Sequence, residues 1–265
     1  MDLNGKVALV TGGGGGIGAG IAEAFVEKGA KVIITDINVN YASAEAERIG
    51  GGTLALQHDV TSLESWARVK QAALDALGDV DVLCNNAGIS QPFKLLDEVT
   101  PEEFGRIIAI NVAGVYNGVN SFGPGMRERK RGHIVNTSSM NGLIPHATFA
   151  AYTASKFAVA GMSEALRAEL APFGVGVSIL YPGLTRSRMS EQQMPDPKMA
   201  ETLRAGMMEP IWLGRAVARA VENNDLHIIT HPAYGGGVEQ RFRAIMNAHG
   251  EPAQPGYLGA VRSAD

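Results

Sequence analysis

Thr11-Gly12-Gly13-Gly14-Gly15-Gly16-Ile17-Gly18 stands between a short apolar run, Lys6 to Val10, and a helix-patterned stretch, Gly18 to Lys28, that closes at Gly29. Strand, glycine loop and helix in that order open a dinucleotide-binding βαβ unit. Glycine lets the backbone turn tightly and approach a pyrophosphate, whose charge then faces the helix N-terminus. The five consecutive glycines fit two registers. Gly13, Gly15 and Gly18 satisfy G-x-G-x-x-G, while Gly12, Gly16 and Gly18 satisfy a wider spacing.

The pattern continues outward from this loop. Lys31 to Thr35 reads as a second strand ending in Asp36, 20 residues beyond Gly16 (36 − 16). A carboxylate there accepts hydrogen bonds from an adenosine ribose and repels a 2′-phosphate. No Arg or Lys follows at Ile37, Asn38 or Val39, and none lies in the glycine loop, which favours NAD over NADP. Thr53 to His58 is a third strand, and Asp59 and Val60 after it are assigned to the adenine edge. Val80 to Cys84 is a fourth, followed by Asn85-Asn86-Ala87-Gly88; His133 to Thr137 and Gly176 to Tyr181 are the next two. Helices are expected at Tyr41 to Ile49, Thr61 to Leu77, Pro101 to Arg129 (capped by Thr100) and Tyr152 to Ala171. Gly114, Gly118 and Gly123-Pro124-Gly125 read as irregularities inside the long helix. Beyond Pro182 the pattern loosens, with a helix at Glu209 to Asn223, a strand at His227 to Thr230 and a helix at Val238 to Ala248. This alternation predicts an α/β fold: a single-domain, doubly wound (Rossmann) parallel sheet of about seven strands with helices on both faces. The domain is expected over 1–250, with a substrate loop near 184–212 and a C-terminal tail at 251–265.

Of the 265 residues, 45% are apolar and 19% charged, which supports a large core and excludes bulk disorder. A net charge of −4 argues against nucleic acid as a partner, and the cluster Arg127, Arg129, Lys130 and Arg131 reads as a solvated helix end. The one cysteine, Cys84, forms no intrachain disulfide and reads as a small buried hydrophobe. No signal-peptide pattern and no membrane-length apolar run is present, so a cytoplasmic protein without membrane contact is expected. No metal is expected.

The chemistry rests on Ser139, Tyr152 and Lys156. A Tyr and a Lys at i and i+4 share one helix face, and the ammonium favours the phenolate, lowering a pKa ordinarily about 10. A serine hydroxyl nearby orients the reacting oxygen. Proton transfer beside a hydride carrier is the chemistry of alcohol–ketone interconversion.

Taken together, these residues resemble the short-chain dehydrogenase/reductase family. The resemblance is carried by Thr11-Gly12-x-x-x-Gly16-Ile17-Gly18, Asn85-Asn86-Ala87-Gly88, Asn111, Ser139, Tyr152-Thr-Ala-Ser-Lys156 and Pro182-Gly183. It implies the wider glycine register and makes Tyr152 the general acid/base. Lys156 is to lower the tyrosine pKa and bind the nicotinamide ribose, and Ser139 is to hold the substrate oxygen. Ser139 lies 13 residues before Tyr152 (152 − 139), the family's spacing, and is preferred over Ser138. Asn111 completes a proton relay through water to Lys156, and Thr185 and Ser187 bind the nicotinamide carboxamide. Cofactor contacts are thus expected at Gly12, Gly16, Ile17, Gly18, Asp36, Asp59, Val60, Asn86, Ala87, Gly88, Tyr152, Lys156, Pro182, Gly183, Thr185 and Ser187. The family also implies a homo-oligomer, dimer or tetramer, built on the helices from Pro101 and Tyr152. The ending lacks the usual Asp-Gly-Gly. His227-Ile-Ile-Thr-His-Pro232, with Asn117-Gly118 and Phe122, looks instead like the bacterial Cα-dehydrogenases of lignin-derived aryl alcohols.

The segments Ser90 to Leu96, Met140 to Phe149 and Leu184 to Trp212 are expected to wall the substrate site. Phe93, Phe149, Met189, Met194 and Trp212 suit a bulky apolar or aromatic alcohol, with Asn141 and His146 as polar candidates. The stretch Met189 to Met208 is read as a lid. The leading expectation is an NAD-dependent oxidoreductase of secondary alcohols. An NADP-dependent carbonyl reductase and a non-catalytic NAD-sensing module are the alternatives.

Overall fold

A computed structural model describes residues 1–192 and 205–250; the tail at 251–265 and Met194 lie outside the described residues. In chain order, β1 (Val7–Thr11), α1 (Gly16–Glu27), β2 (Lys31–Asp36), α2 (Val39–Ile49), β3 (Leu54–Gln57), α3 (Leu63–Leu77) and β4 (Val82–Asn85) form the first half. The second half runs α4 (Pro101–Ile108), α5 (Gly114–Glu128), β5 (Gly132–Thr137), α6 (Ala150–Leu170), β6 (Val175–Tyr181), α7 (Arg188–Gln192), α8 (Pro210–Asn223) and β7 (His227–Ile229). Among the described residues the strands make one seven-stranded sheet in the order β3-β2-β1-β4-β5-β6-β7. Every neighbouring pair is parallel. This is the expected doubly wound sheet. The order reverses direction at β1/β4, the place where such sheets open a crevice beyond their strand ends.

Strand alternation sorts the core into two layers. Val7, Leu9 and Ile33 face Trp66 of α3, Phe122 of α5 and Leu166 of α6. Ala8, Val10, Val32 and Ile34 face Ile21 and Phe25 of α1 and Leu213 and Val217 of α8. With both faces covered, the strands read as unbroken apolar runs, and β1 is buried along its whole length.

The long helix differs from expectation in one respect. Its irregularity is not at the glycines but just before them, a π-type turn at Ala109–Ala113 that joins α4 to α5. The helix continues through Pro124. The basic cluster at the end of α5 is used structurally. Arg129 pairs with Asp79 at 2.8 Å, Arg131 with Asp81 at 3.0 Å, and Arg127 lies over the Phe173 ring. Cys84 is buried, and burial pushes its thiol pKa up.

Packing divides the chain into two units, Met1–His231 and Pro232–Asp265. The described part of the second holds α9 (Gly235–Asn247), which buries none of its residues and carries a Glu239–Arg243 pair at 2.6 Å. Among the described residues no helix is long and apolar enough to cross a membrane.

Candidate active site

The site is built on the carboxyl ends of β1, β2, β4 and β5. The Thr11 hydroxyl accepts the N–H groups of Asn86 and Ala87 at 2.9 and 3.0 Å and donates to the Cys84 carbonyl. Asn86 returns its Nδ2 to the Thr11 carbonyl at 3.0 Å. A Cβ added at Gly12 would lie 2.9 Å from the Ala87 Cα, so only glycine lets the loop seat on Ala87. The glycine loop and Asn86-Ala87-Gly88 thus form one floor, and Ile17 packs down onto the core. α1 starts with neither a side-chain cap nor an acidic residue in its first turn. Its positive end is left to the loop.

Asp36 ties this floor to β2: Oδ2 accepts from the Gly14 N–H at 3.1 Å and Oδ1 from the Asn38 N–H at 3.0 Å. Asp59 folds back on Thr61, whose N–H and hydroxyl donate to Oδ1 and hold the carboxyl below its usual range. The Val60 carbonyl is engaged by Trp66 Nε1 and Asn117 Nδ2.

Ser139, Tyr152 and Lys156 come together where β5 meets α6. The Ser139 hydroxyl acts on the Tyr152 phenol, pulling its pKa down, and accepts the Asn141 N–H at 3.1 Å. The neighbouring Ser138 points the other way and donates to the Lys156 carbonyl at 2.8 Å, a joint between strand and helix. Lys156 is 4% exposed, its Nζ donates to the Thr137 carbonyl at 3.0 Å, and it lies 5.5 Å from the centre of the Tyr152 ring. Burial lowers its pKa to about 8.

The tyrosine corrects the sequence reading. Burial pushes its phenol above the ordinary value, and the hydrogen bond with Ser139 opposes that rise. In the protein alone, desolvation outweighs any help from Lys156, whose ammonium is directed at Thr137.

Asn111 is fully buried in the π-type turn. Its Oδ1 accepts from Ile89 N–H at 2.8 Å, and its Nδ2 donates to the Ile89 carbonyl and to Ser155 Oγ. Gly88 lies between it and the lysine: a Cβ there would sit 3.2 Å from Asn111 Oδ1 and 3.6 Å from Lys156 Nζ.

Pro182 accepts the Met140 N–H, and the buried Thr185 hydroxyl turns back to the Gly183 carbonyl. Ser187 stands against the glycine loop, where a Cβ on Gly16 would lie 2.7 Å from its own Cβ.

Four residues within segments the sequence singles out take partners or a conformation that the sequence does not give. Gln91, buried, accepts the Tyr152 N–H at 2.8 Å and donates to the Thr148 carbonyl, tying the start of α6 to the loop after β4. Thr148 holds a left-handed φ of 65°. His231 Nδ1 accepts the Gly183 N–H at 3.0 Å. Arg188 crosses to the glycine loop and donates to the Gly14 carbonyl. No spacing rule connects any of these to its partner.

Among the substrate candidates, an edge-to-face aromatic row runs to the tyrosine. Phe93 is 4.6 Å from Phe149, and Phe149 is 6.2 Å from Tyr152. The exposed His146 sits 5.7 Å from Phe149 and bonds its own loop at Ala147. Asn141 presents its N–H to Ser139. Met189 is partly buried, whereas Trp212 is 60% exposed under Arg215.

A Rossmann sheet with Ser, Tyr and Lys meeting at its strand ends defines a dehydrogenase-type oxidoreductase, and comparison with known proteins agrees. Residues 6–198 match the short chain dehydrogenase family. A C alpha-dehydrogenase of Sphingobium sp. (strain NBRC 103272 / SYK-6) is 31% identical over 266 residues, 93% of this chain and 87% of that protein. The apo form of LigO from Sphingobium sp. strain SYK-6 superposes with a TM-score of 0.83 at 32% identity, covering 94% of this chain and 90% of that one. A short chain dehydrogenase/reductase from Burkholderia phymatum, in complex with NAD, has a TM-score of 0.83 at 27% identity, covering 97% of this chain and 100% of that one. The chain belongs to the short-chain dehydrogenase family. Its likeness to the Cα-dehydrogenase branch, first visible at its ending, extends over most of its length.

Proposed function

We propose that the protein interconverts secondary alcohols and ketones with NAD, and that its substrates are bulky and aromatic. The observation that carries this reading is the meeting of the Tyr152 phenol with Ser139 on one side and the Lys156 ammonium on the other. The cofactor suits the residues present: the Gly12 cradle, the open positive end of α1 and the Asp36 carboxylate beside Gly14 match a loop, a pyrophosphate and a ribose. Gly12, Gly16, Ile17 and Gly18 would hold the pyrophosphate, and Asp36 the adenosine ribose. Asp59, Val60, Asn86, Ala87 and Gly88 would line the adenine and central parts. Tyr152, Lys156, Pro182, Gly183, Thr185 and Ser187 would hold the nicotinamide end. Bound there, NAD supplies the hydride acceptor.

Tyr152 is the proton carrier. In oxidation its phenolate oxygen takes the hydroxyl proton of the alcohol; in reduction its phenol returns one to the carbonyl oxygen. Ser139 donates to that same oxygen and fixes its position. Lys156 favours the phenolate, and Asn111, held by Ile89 and Ser155, passes protons toward Lys156 through water. The row Phe93–Phe149–Tyr152 gives an aryl group an apolar, edge-presenting wall beside the proton carrier.

The test is formation of reduced nicotinamide over a panel of aliphatic, alicyclic and aryl secondary alcohols, with NAD and NADP in parallel. Turnover with NAD, highest on aryl alcohols, is expected. A preference for NADP would favour a carbonyl reductase. Intact NAD binding with no turnover would favour a sensing module.

A further inference from the structure

Arg188 is placed where a charge-bearing side chain of the glycine loop would stand, although it comes from the first residue of α7. Its guanidinium lies 4.0 Å from the centre of the Tyr41 ring, and Nη2 donates to the Gly14 carbonyl. A Cβ built on Gly15 would be 2.9 Å from Nη2 and 3.1 Å from both Cζ and Nη1, so the flat face of the guanidinium covers Gly15. Tyr41 and Gly15 therefore sandwich the cation. On the same loop, the Gly14 N–H is held by Asp36.

Two further observations bear on what this cation recognises. The neighbouring Arg186 is neutralised by Glu209 at 3.0 Å, whereas no carboxylate among the described residues pairs with Arg188. The first turn of α1, immediately after Gly15, carries no acidic residue and no side-chain cap. A planar cation with no acidic partner among the described residues thus stands beside backbone N–H groups that favour an anion, on the loop that faces a dinucleotide.

We propose that Arg188 is a cofactor-binding residue that clamps a phosphate of the dinucleotide from the substrate side of the site. This rests on the dinucleotide reading given above. The guanidinium keeps its stack on Tyr41 and turns its N–H groups from the Gly14 carbonyl to a phosphate oxygen. Because Arg188 begins the segment that follows Ser187, cofactor affinity and the position of the substrate-side wall are linked. The five-glycine run fits this arrangement: side chains at Gly14 and Gly15 would collide with Asp36, Tyr41 and Arg188.

The experiment compares wild type, Arg188→Ala and Arg188→Lys by fluorescence titration with NADH, with ADP and adenosine as competitors. We expect Arg188→Ala to weaken NADH and ADP about tenfold, the scale of one charge-assisted hydrogen bond, with adenosine changed less than about twofold. Arg188→Lys should recover part of the loss, and the KM for NAD should rise in step with the weakened NADH binding in Arg188→Ala, as expected for a binding role. Unchanged or tighter NADH binding in Arg188→Ala would overturn the proposal, the latter because it would mean that the guanidinium obstructs the site. Equal weakening of ADP and adenosine would overturn it too, since that is the mark of a disturbed loop. Failure of wild type itself to bind NADH would overturn the cofactor reading, and this proposal with it.

Discussion

Lys156 pays the cost of its position in stability. It is 4% exposed, and burial draws its pKa from 10.5 to about 8. Between those values the unfolded chain holds a proton that the folded one has released, so folding stability rises with pH across that window and carries the full penalty below it. Lys156→Met should therefore lose activity yet match or exceed wild type in thermal stability at pH 7, by up to about 3 kcal/mol, with the advantage fading as pH rises from 8 to 10.5. Thermal melts of both proteins across that range check this. Ser139→Ala removes the hydrogen bond that restrains the phenol. The limb of the pH–rate profile for alcohol oxidation should then move to higher pH, with kcat down roughly 10–100-fold. At this scale the spacing to Tyr152 singles out Ser139 over Ser138, and in the structure the Ser138 hydroxyl is taken up by the Lys156 carbonyl at the strand–helix joint. The direction of the Tyr152 shift was not legible, because desolvation depends on what folds over the ring.

At the scale of elements, caps and apolar periods gave the seven described strands and the longer helices to within a few residues, whereas the short helix Arg188–Gln192 falls in a stretch read as a substrate loop. Thr100 caps α4 as expected, with Glu103 completing the capping box. The π-type turn escaped because no residue type demands it; it turns Asn111 inward to Ile89 and Ser155. Two of the glycines read as irregularities, Gly114 and Gly118, serve close packing instead. A Cβ on Gly118 would collide with Asn85 Oδ1 and lie 2.9 Å from the Trp66 ring. Gly118→Val should destabilise the fold by about 2–4 kcal/mol through overpacking between α5, β4 and α3. Urea unfolding monitored by Trp fluorescence would register it, and a change under about 0.5 kcal/mol would contradict the packing described.

The whole molecule carries two histidines folded as neutral groups. Burial lowers His58 to about 4 and His133 to about 3. His133 Nε2 donates to Ser178, whose hydroxyl is given to the Asp225 carbonyl. Both pKa values lie below the ordinary 6.5, so the unfolded chain binds more protons as pH falls and stability drops below that point. Between pH 7 and pH 5 we expect a loss of about 2 kcal/mol for each histidine, and His133→Gln should halve the difference between urea midpoints at the two pH values. Long-range partnerships of this kind are what the sequence conceals. Its local patterns give the alternation of strands and helices in a parallel sheet, whereas Arg188 meets Gly14 across 174 positions and Gln91 meets Tyr152 across 61.

The central claim is that the Tyr152 phenol carries the proton in NAD-dependent alcohol oxidation. The most direct measurement is turnover of Tyr152→Phe on the best alcohol of the panel, with NADH affinity measured on the same preparation. The account expects kcat to fall at least about a thousandfold while NADH affinity stays within a few-fold. Turnover within tenfold of wild type, with the cofactor bound, would contradict it.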